Sequence, residues 1–381
     1  MRILVLGGCG AMGTEVTRDL ARTSAFEEIV IADANLERAQ ALAEELGGGR
    51  VRSQKIDAAD ENLLTGQFRG FSVVANCTPY HFGMAASRAA IQARVSYLDL
   101  GGLFNTPRQL QLDEAARQAG VTLCLGCGAT PGVTNLMVRR AADQMDRVEE
   151  VFIAFASFRS IAPSAGLLDT VLDEFSPGSQ RFFWQEGQFV EVPLFSGTRR
   201  VRFAEPAGEL EVYYVPHSET HTLPRFLGKG VRRVEVRGTW RPEIMQALRV
   251  FADYGLTGTQ SVAVQGRAIS SREFVRSHIL QYAAQVGGDG EWAFLLHVEV
   301  HGWREGSRIR CEYRTSHPPR AEWGTSATAR VTGVPASIGA QKLAQAEVSR
   351  TGVLAPEACF EPLPFFAELA RRGILVHEQT E

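Results

Sequence analysis

"VLGGCGAMG", residues 5–13, breaks an apolar run into glycine just before a stretch with helical spacing, "TEVTRDLART" (14–23). Gly8, Gly10 and Gly13 satisfy the G-x-G-x-x-G pattern after a strand and at a helix start. Gly8 permits the turn, Gly10 lets the backbone approach a pyrophosphate, and Gly13 lets helix and strand pack closely. The helix start offers unpaired N–H groups to phosphate charge, so Cys9, Ala11 and Met12 complete the expected dinucleotide cradle. Twenty residues past Gly13, "IVIAD" ends on Asp33, whose carboxylate can accept both ribose hydroxyls and repel a 2′-phosphate. NAD is thus favoured over NADP, with Arg38 the nearby cation that would serve NADP instead.

Outward from this loop, the first 125 residues alternate β-branched runs with helical patterns. Strand candidates are "RILVLG", "EIVIAD", "VRSQKI", "SVVANC", "SYLDLG" and "VTLCLG"; helix candidates include "NLERAQALAEELG", "HFGMAASRAAIQAR" and "PRQLQLDEAARQAG". Such alternation predicts an α/β, Rossmann-type doubly wound parallel sheet over residues 1–128. Asp57 then lies where such a domain edges the adenine, and Asn76, Cys77 and Thr78 end the fourth strand, beside the nicotinamide half.

Beyond residue 130 the texture changes. "EEVFIAFASF", "GELEVYYV", "RRVEVRGTW", "AFLLHVEVHGW" and "RIRCEYRT" alternate with period two, which predicts an α+β substrate domain with a mainly antiparallel sheet over 129–335. Its polar loops, "FRSIAPSAG", "FSPGSQ" and "PHSETHTLPRFLGKG", are where substrate contacts are expected. "TGVPASIGAQKLAQAEVSRTG" (332–352) is helical in pattern, and its small-residue face suits packing against the first domain. Residues 336–381 are therefore read as a C-terminal helical segment returning there.

The 381 residues are 45% apolar and 22% charged, with 40 Lys and Arg against 43 Asp and Glu. This balance gives no basic footprint for nucleic acid, no apolar stretch reaches the length of a membrane span, and the N-terminus lacks a secretory pattern. A cytoplasmic protein is expected. Six scattered cysteines suggest free thiols; the Cys124–Cys127 CxxC lacks the further ligands zinc needs, so no metal is expected.

Several residues can carry chemistry. "NCTPYHF" sets Tyr80 and His81 beside the expected nicotinamide, as acid–base candidates or parts of a Pro-directed turn. "YLDLGG" puts Asp99 at a strand tip before Gly101 and Gly102, where a ligand can approach the backbone; its carboxylate can hold or deprotonate an amine, or cap the loop. "HSETHTLPRF" gathers His217, Glu219, Thr220, His221, Thr222 and Arg225. Arg225 can clamp a substrate carboxylate, with Arg237 and Arg314 as rivals.

"VLGGCGAMG", "IAD" ending at Asp33, "DLGG" (99–102), "TPG" (130–132), "THTLPR" (220–225) and the tail from "TGVPASIGAQKLA" through "GVLAPEACFEPLPFFAELARRGI" resemble the saccharopine dehydrogenase family, and within it the bacterial lysine 6-dehydrogenase branch. The resemblance runs along nearly the whole chain. It implies a Rossmann domain completed by the C-terminal segment, a homodimer formed through the inserted substrate domain, oxidation or formation of amino-acid C–N bonds with NAD or NADP, and Tyr80 beside the nicotinamide. Saccharopine reductases carry an acid at the position of Thr130, and the lysine branch has one near Gly126; both are uncharged here. The base must then be another group, such as Asp99, Glu219 or His221.

The resulting expectation is an NAD-dependent amino acid dehydrogenase that oxidises the amine-bearing carbon of lysine or a related amino acid, releasing a semialdehyde after imine hydrolysis. A lysine-like amine of pKa about 10.4 costs about 4.6 kcal/mol to deprotonate at pH 7, so a base or a desolvating pocket is required. The alternatives are a saccharopine-type dehydrogenase of a carboxyalkyl amine and a non-catalytic NAD(H)-binding regulatory protein.

Overall fold

The computed structural model describes residues 1–102, 104–162, 164–282, 292–324 and 326–381. β1 (Arg2–Leu6) buries Ile3, Leu4, Val5 and Leu6 on both faces, as the centre of a parallel sheet covered by helices on each side requires. It is joined in the sheet by β2 (Glu28–Asp33), β3 (Val51–Lys55), β4 (Val73–Asn76), β5 (Ser96–Asp99) and β6 (Thr122–Cys124). All pairings are parallel, in the order β6-β5-β4-β1-β2-β3. The order reverses between β1 and β4, and the crevice at their carboxyl ends is where such sheets bind ligands. One helix expectation divides: "PRQLQLDEAARQAG" folds as helices Thr106–Gln109 and Asp113–Ala119 around a 3₁₀ turn, with Asp113 Oδ1 accepting the Val353 N–H at 2.9 Å.

The second sheet is built on β7 (Arg147–Phe158). It adds the hairpin β8 (Phe182–Gln185) and β9 (Gln188–Glu191), then β10 (Arg199–Arg202), β11 (Glu209–Tyr214) and β12 (Arg233–Trp240). A separate hairpin, β13 (Ser261–Val264) and β14 (Arg267–Ser270), precedes β15 (Ala293–Arg304) and β16 (Ser307–Ser316). Among the described residues only β12 and β7 pair in parallel in this sheet; the other pairings are antiparallel, the mainly antiparallel sheet that period-two alternation predicts.

The C-terminal region serves both sheets. Helix Ala327–Ala344 lies on helix Ala11–Thr23: a Cβ on Gly333 would come 2.9 Å from the Met12 carbonyl, Ser337 Oγ donates to Asp19 at 2.6 Å, and Arg330 pairs with Glu15 at 3.3 Å. Residue 336 falls inside this helix, so no element begins there. β17 (Gly352–Leu354) extends the parallel sheet beyond β6, whereas β18 (Leu375–Thr380) pairs antiparallel with β16. No helix among the described residues is long and apolar enough to cross a membrane.

Candidate active site

The glycine loop fits a dinucleotide. A Cβ on Gly13 would sit 2.1 Å from the Gly7 carbonyl, so loop and helix meet this closely only at glycine. Gly10 begins helix Ala11–Thr23 with no side-chain cap and no acid in the first turn, leaving its positive end for an anion. Gly10, Ala11 and Met12 line a cavity of about 510 Å³ between the two sheets. Asp33 accepts the Cys9 N–H (3.3 Å) and the Asn35 N–H (3.0 Å), while Asn35 caps the following helix. Arg38 donates to the Cys9 carbonyl at 3.0 Å and lines the same cavity. Burial, reinforced by Asp33, pushes the Cys9 thiol up to about 12, so it stays protonated.

Three carboxylate and amide expectations resolve as loop supports. Asp57 accepts the Ala59 N–H at 2.9 Å in a turn and does not line the cavity. Asn76 is buried, accepting from the Thr78 N–H (3.1 Å) and Oγ1 (2.6 Å) and donating to the Tyr97 hydroxyl at 2.9 Å; it shapes the turn that brings Cys77, Thr78, Pro79 and Tyr80 to the cavity. Asp99 is also buried away from the cavity. Its oxygens accept from the N–H groups of Gly101 (2.9 Å) and Gly126 (2.8 Å), the Tyr97 hydroxyl (3.1 Å) and Gln109 (2.8 Å). Four donors fill its acceptor capacity and tie the β5 and β6 ends together, an arrangement that fits the loop-capping reading of Asp99. Gly101 (φ +88°) and Gly102 do line the cavity; a Cβ on Gly101 would meet Pro131 at 2.6 Å.

Tyr80 reaches the cavity, but its hydroxyl donates to Asp173 at 3.1 Å, and Arg272 pairs with that aspartate at 2.6 Å. Burial and Asp173 push the phenol up to about 12, and the bond ties the turn after β4 to helix Ala165–Glu174.

The stretch read as a polar loop folds as helix Glu219–Phe226, which sends its residues in different directions. His221 packs against the Phe182 and Phe189 rings, and burial lowers it to about 4; Arg225 points to Asp113 at 3.6 Å; Thr220 donates to the His217 carbonyl at 2.7 Å. None of the three lines the cavity, where the catalytic role expected of His221 and the substrate roles of Thr220 and Arg225 would place them. The rivals lie elsewhere: Arg237 pairs with Glu235 at 3.2 Å and Arg314 with Glu312. His217 does line the cavity, with Nδ1 2.8 Å from Glu219 Oε2. Fully buried Glu219 also accepts from Thr130 (2.6 Å) and Thr134 (2.9 Å). A carboxylate from position 219 thus reaches Thr130, where the sequence lacked an acid. Burial opposes both charges, but each partner stabilises the other: His217 is raised above its ordinary value and Glu219 lowered below its own.

The same cavity holds residues that sequence reasoning missed. Arg159 and Glu174 are each 3% exposed and line the cavity with Ser157, Trp240 and Thr328. Arg159 Nε, Glu174 Oε2, Ser157 Oγ, Trp240 Nε1 and Thr328 Oγ1 are buried without hydrogen-bond partners. Unpaired buried polar atoms are costly, and five around one cavity mark it as built for a polar ligand. Burial raises Glu174 to about 7 despite His217 and Arg159, and lowers Arg159 only to about 10, so the guanidinium stays charged. No spacing signal distinguishes Glu174 in an amphipathic helix or Arg159 after an apolar strand.

Cys124, with Cys127 and Cys359 as thiol neighbours, is buried and raised well above the ordinary thiol range by burial. His297, Glu299 and Glu312 bring ligand atoms within 4.8 Å of one another, but Arg199 and Arg310 already bind those carboxylates at 2.7 and 2.6 Å.

The chain is 23% identical to carboxyaminopropylagmatine dehydrogenase from Synechocystis over 99% of this chain and 98% of that protein. It is 23% identical to carboxynorspermidine synthase from Vibrio cholerae over 98% and 96%. Among solved structures, apo saccharopine dehydrogenase (L-Glu forming) from Saccharomyces cerevisiae matches with a TM-score of 0.75 at 16% identity, covering 100% of this chain and 99% of that one. The homospermidine synthase of Legionella pneumophila in complex with NAD matches at 0.65 and 11% identity, covering 99% and 91%. The saccharopine dehydrogenase NADP binding domain matches residues 3–124 and the saccharopine dehydrogenase C-terminal domain residues 128–374, so the chain belongs to the saccharopine dehydrogenase family.

Proposed function

We propose that this protein is an NAD(P)-dependent oxidoreductase that makes or breaks the C–N bond of a carboxyalkylated amine, joining an amine to a keto or aldehydo acid in the forming direction. The observation that carries the reading is the pairing, in one cavity beside the nucleotide cradle, of a buried cation, Arg159, with a buried carboxyl, Glu174, each with an unpaired polar atom. Arg159 suits a substrate carboxylate and Glu174 a substrate amine. This favours the carboxyalkyl-amine alternative over lysine itself, and relatives named for carboxyaminopropylagmatine, carboxynorspermidine and saccharopine support it.

Gly10, Ala11 and Met12 would hold the pyrophosphate and Asp33 the adenosine ribose; a bound nicotinamide supplies or accepts the hydride at the amine-bearing carbon. Cys77, Thr78 and Tyr80 wall that end. NAD is the preferred form in this reading, because Asp33 ends β2 and Arg38 is already anchored on the Cys9 carbonyl. The expected homodimer is read by light scattering.

The test follows consumption of NADH and NADPH by absorbance, with a panel of diamines and agmatine-like amines, each with and without a keto or aldehydo acid. Turnover only when both partners are present supports the reading. Oxidation of free lysine by NAD⁺, with no turnover in the two-partner arm, overturns it.

A further inference from the structure

Glu219 and His217 form a buried pair whose geometry exceeds what folding needs. Glu219 is fully buried at the start of its helix and takes three donors: Thr130 Oγ1 at 2.6 Å, Thr134 Oγ1 at 2.9 Å and His217 Nδ1 at 2.8 Å. The hydroxyls occupy Oε1 and the imidazole Oε2. A carboxylate held this way keeps the imidazole proton on Nδ1 and leaves Nε2 as the ring's working nitrogen. His217 lines the cavity with Glu174, Arg159 and Gly102, and the Phe155 ring centroid lies 5.6 Å from its own. Thr130 precedes helix Val133–Asp143 and Thr134 lies in its first turn, so the pair is braced by residues more than 80 positions away in the chain.

We propose that His217 is the proton-carrying catalytic residue of the reaction inferred above, and that Glu219, braced by Thr130 and Thr134, is its positioning residue. The proposal rests on the carboxyalkyl-amine reading. In the forming direction the amine adds to the carbonyl carbon to give a carbinolamine. His217 Nε2 then donates its proton to the departing hydroxyl: the C–O bond breaks, the nitrogen lone pair forms C=N, and water leaves with that proton. The iminium carbon takes the hydride from the reduced nicotinamide, yielding the secondary amine, and neutral His217 recovers a proton from solvent. In the oxidative direction the same nitrogen takes a proton from water as it adds to the iminium. Glu174 is close enough to the same ring to favour its positive form, and the Arg159 guanidinium is bound to backbone carbonyls 160, 161 and 167.

The experiment has two readouts. Histidine NMR on the full chain, assigned with His217→Gln, follows the His217 titration in wild type, Glu219→Gln and Thr130→Val. Steady-state kinetics with the best amine and acid pair follows kcat against pH. The proposal expects the His217 titration to fall by about one pH unit or more in Glu219→Gln, and by less in the same direction in Thr130→Val, as a lost charge partner and a lost hydrogen bond dictate. It expects kcat to fall about a hundredfold or more in His217→Gln, with KM nearly unchanged, the usual scale of proton-transfer catalysis. An unmoved His217 titration in both positioning variants, or full turnover by His217→Gln, overturns it. Thr130→Val keeps the test open should Glu219→Gln not fold. Full turnover by His217→Gln with the two-partner panel refutes the proton carrier and leaves the substrate reading standing. A wild type inactive with every pair refutes the substrate reading, and the proton-carrier role with it, while NMR still judges the His217–Glu219 pairing.

Discussion

Glu174→Gln should make the protein more stable and less able to bind its amine, because the carboxyl that serves the cavity is held there against its own solvation. Glu174 is 3% exposed, and burial raises it from 4.5 to about 7. Between those values the unfolded chain has released the proton while the folded chain keeps it, so stability falls as pH rises through the window and levels off above the folded value. The window spans about 2.5 units at about 1.4 kcal/mol each, or about 3 kcal/mol. Glutamine cannot ionise, so the variant lacks this fall. Urea unfolding followed by tryptophan fluorescence, from about pH 5 to about pH 8, should show the variant gaining on wild type by up to about 3 kcal/mol. The same change removes a charge-assisted hydrogen bond of about 1.5–3 kcal/mol, so kcat/KM for the amine partner should fall about tenfold to a hundredfold. Identical pH dependence of stability in the two proteins would refute the reasoning, as would unchanged kcat/KM.

Gly13→Ala, whose methyl would sit 2.1 Å from the Gly7 carbonyl, should abolish nucleotide binding in calorimetry, whereas Gly10→Ala, meeting that oxygen at 3.2 Å, should fold normally and weaken binding. Asp99→Asn should lower stability by about 1–3 kcal/mol in urea titrations, since an amide donor would face the N–H groups of Gly101 and Gly126 or Gln109 Nε2. Tyr80→Phe should cost about 1 kcal/mol through the lost Asp173 bond and change kcat less than about tenfold; a loss of about a hundredfold or more would make Tyr80 a proton carrier instead. Arg159→Met should raise KM for the acid partner at least about tenfold and leave nucleotide affinity unchanged, because the lost group binds a carboxylate rather than a phosphate.

The glycine spacing, Asp33 and the alternation of β-branched runs were enough to read the cradle and the parallel sheet, because both follow from local rules: close approach at Gly13 and period in the flanking segments. The period-two runs likewise announced the second sheet. The site was less legible. Asp99 and His221 carried the right chemistry in the sequence but met four donors in one case and two aromatic rings in the other. Which side chain of "HSETHTLPRF" faces the ligand depended on that segment being a helix packed between the domains, which its Pro224 and polar texture concealed.

By itself the sequence determined a nucleotide-binding sheet, a second sheet and the family, since these rest on spacings within short segments. Only the tertiary structure brought Arg159, Glu174 and His217 to one cavity and set Glu219 against Thr130, residues from distant parts of the chain. Charge and proton affinity at such a site depend on burial and neighbours, and both are properties of the packed chain rather than of any stretch of it.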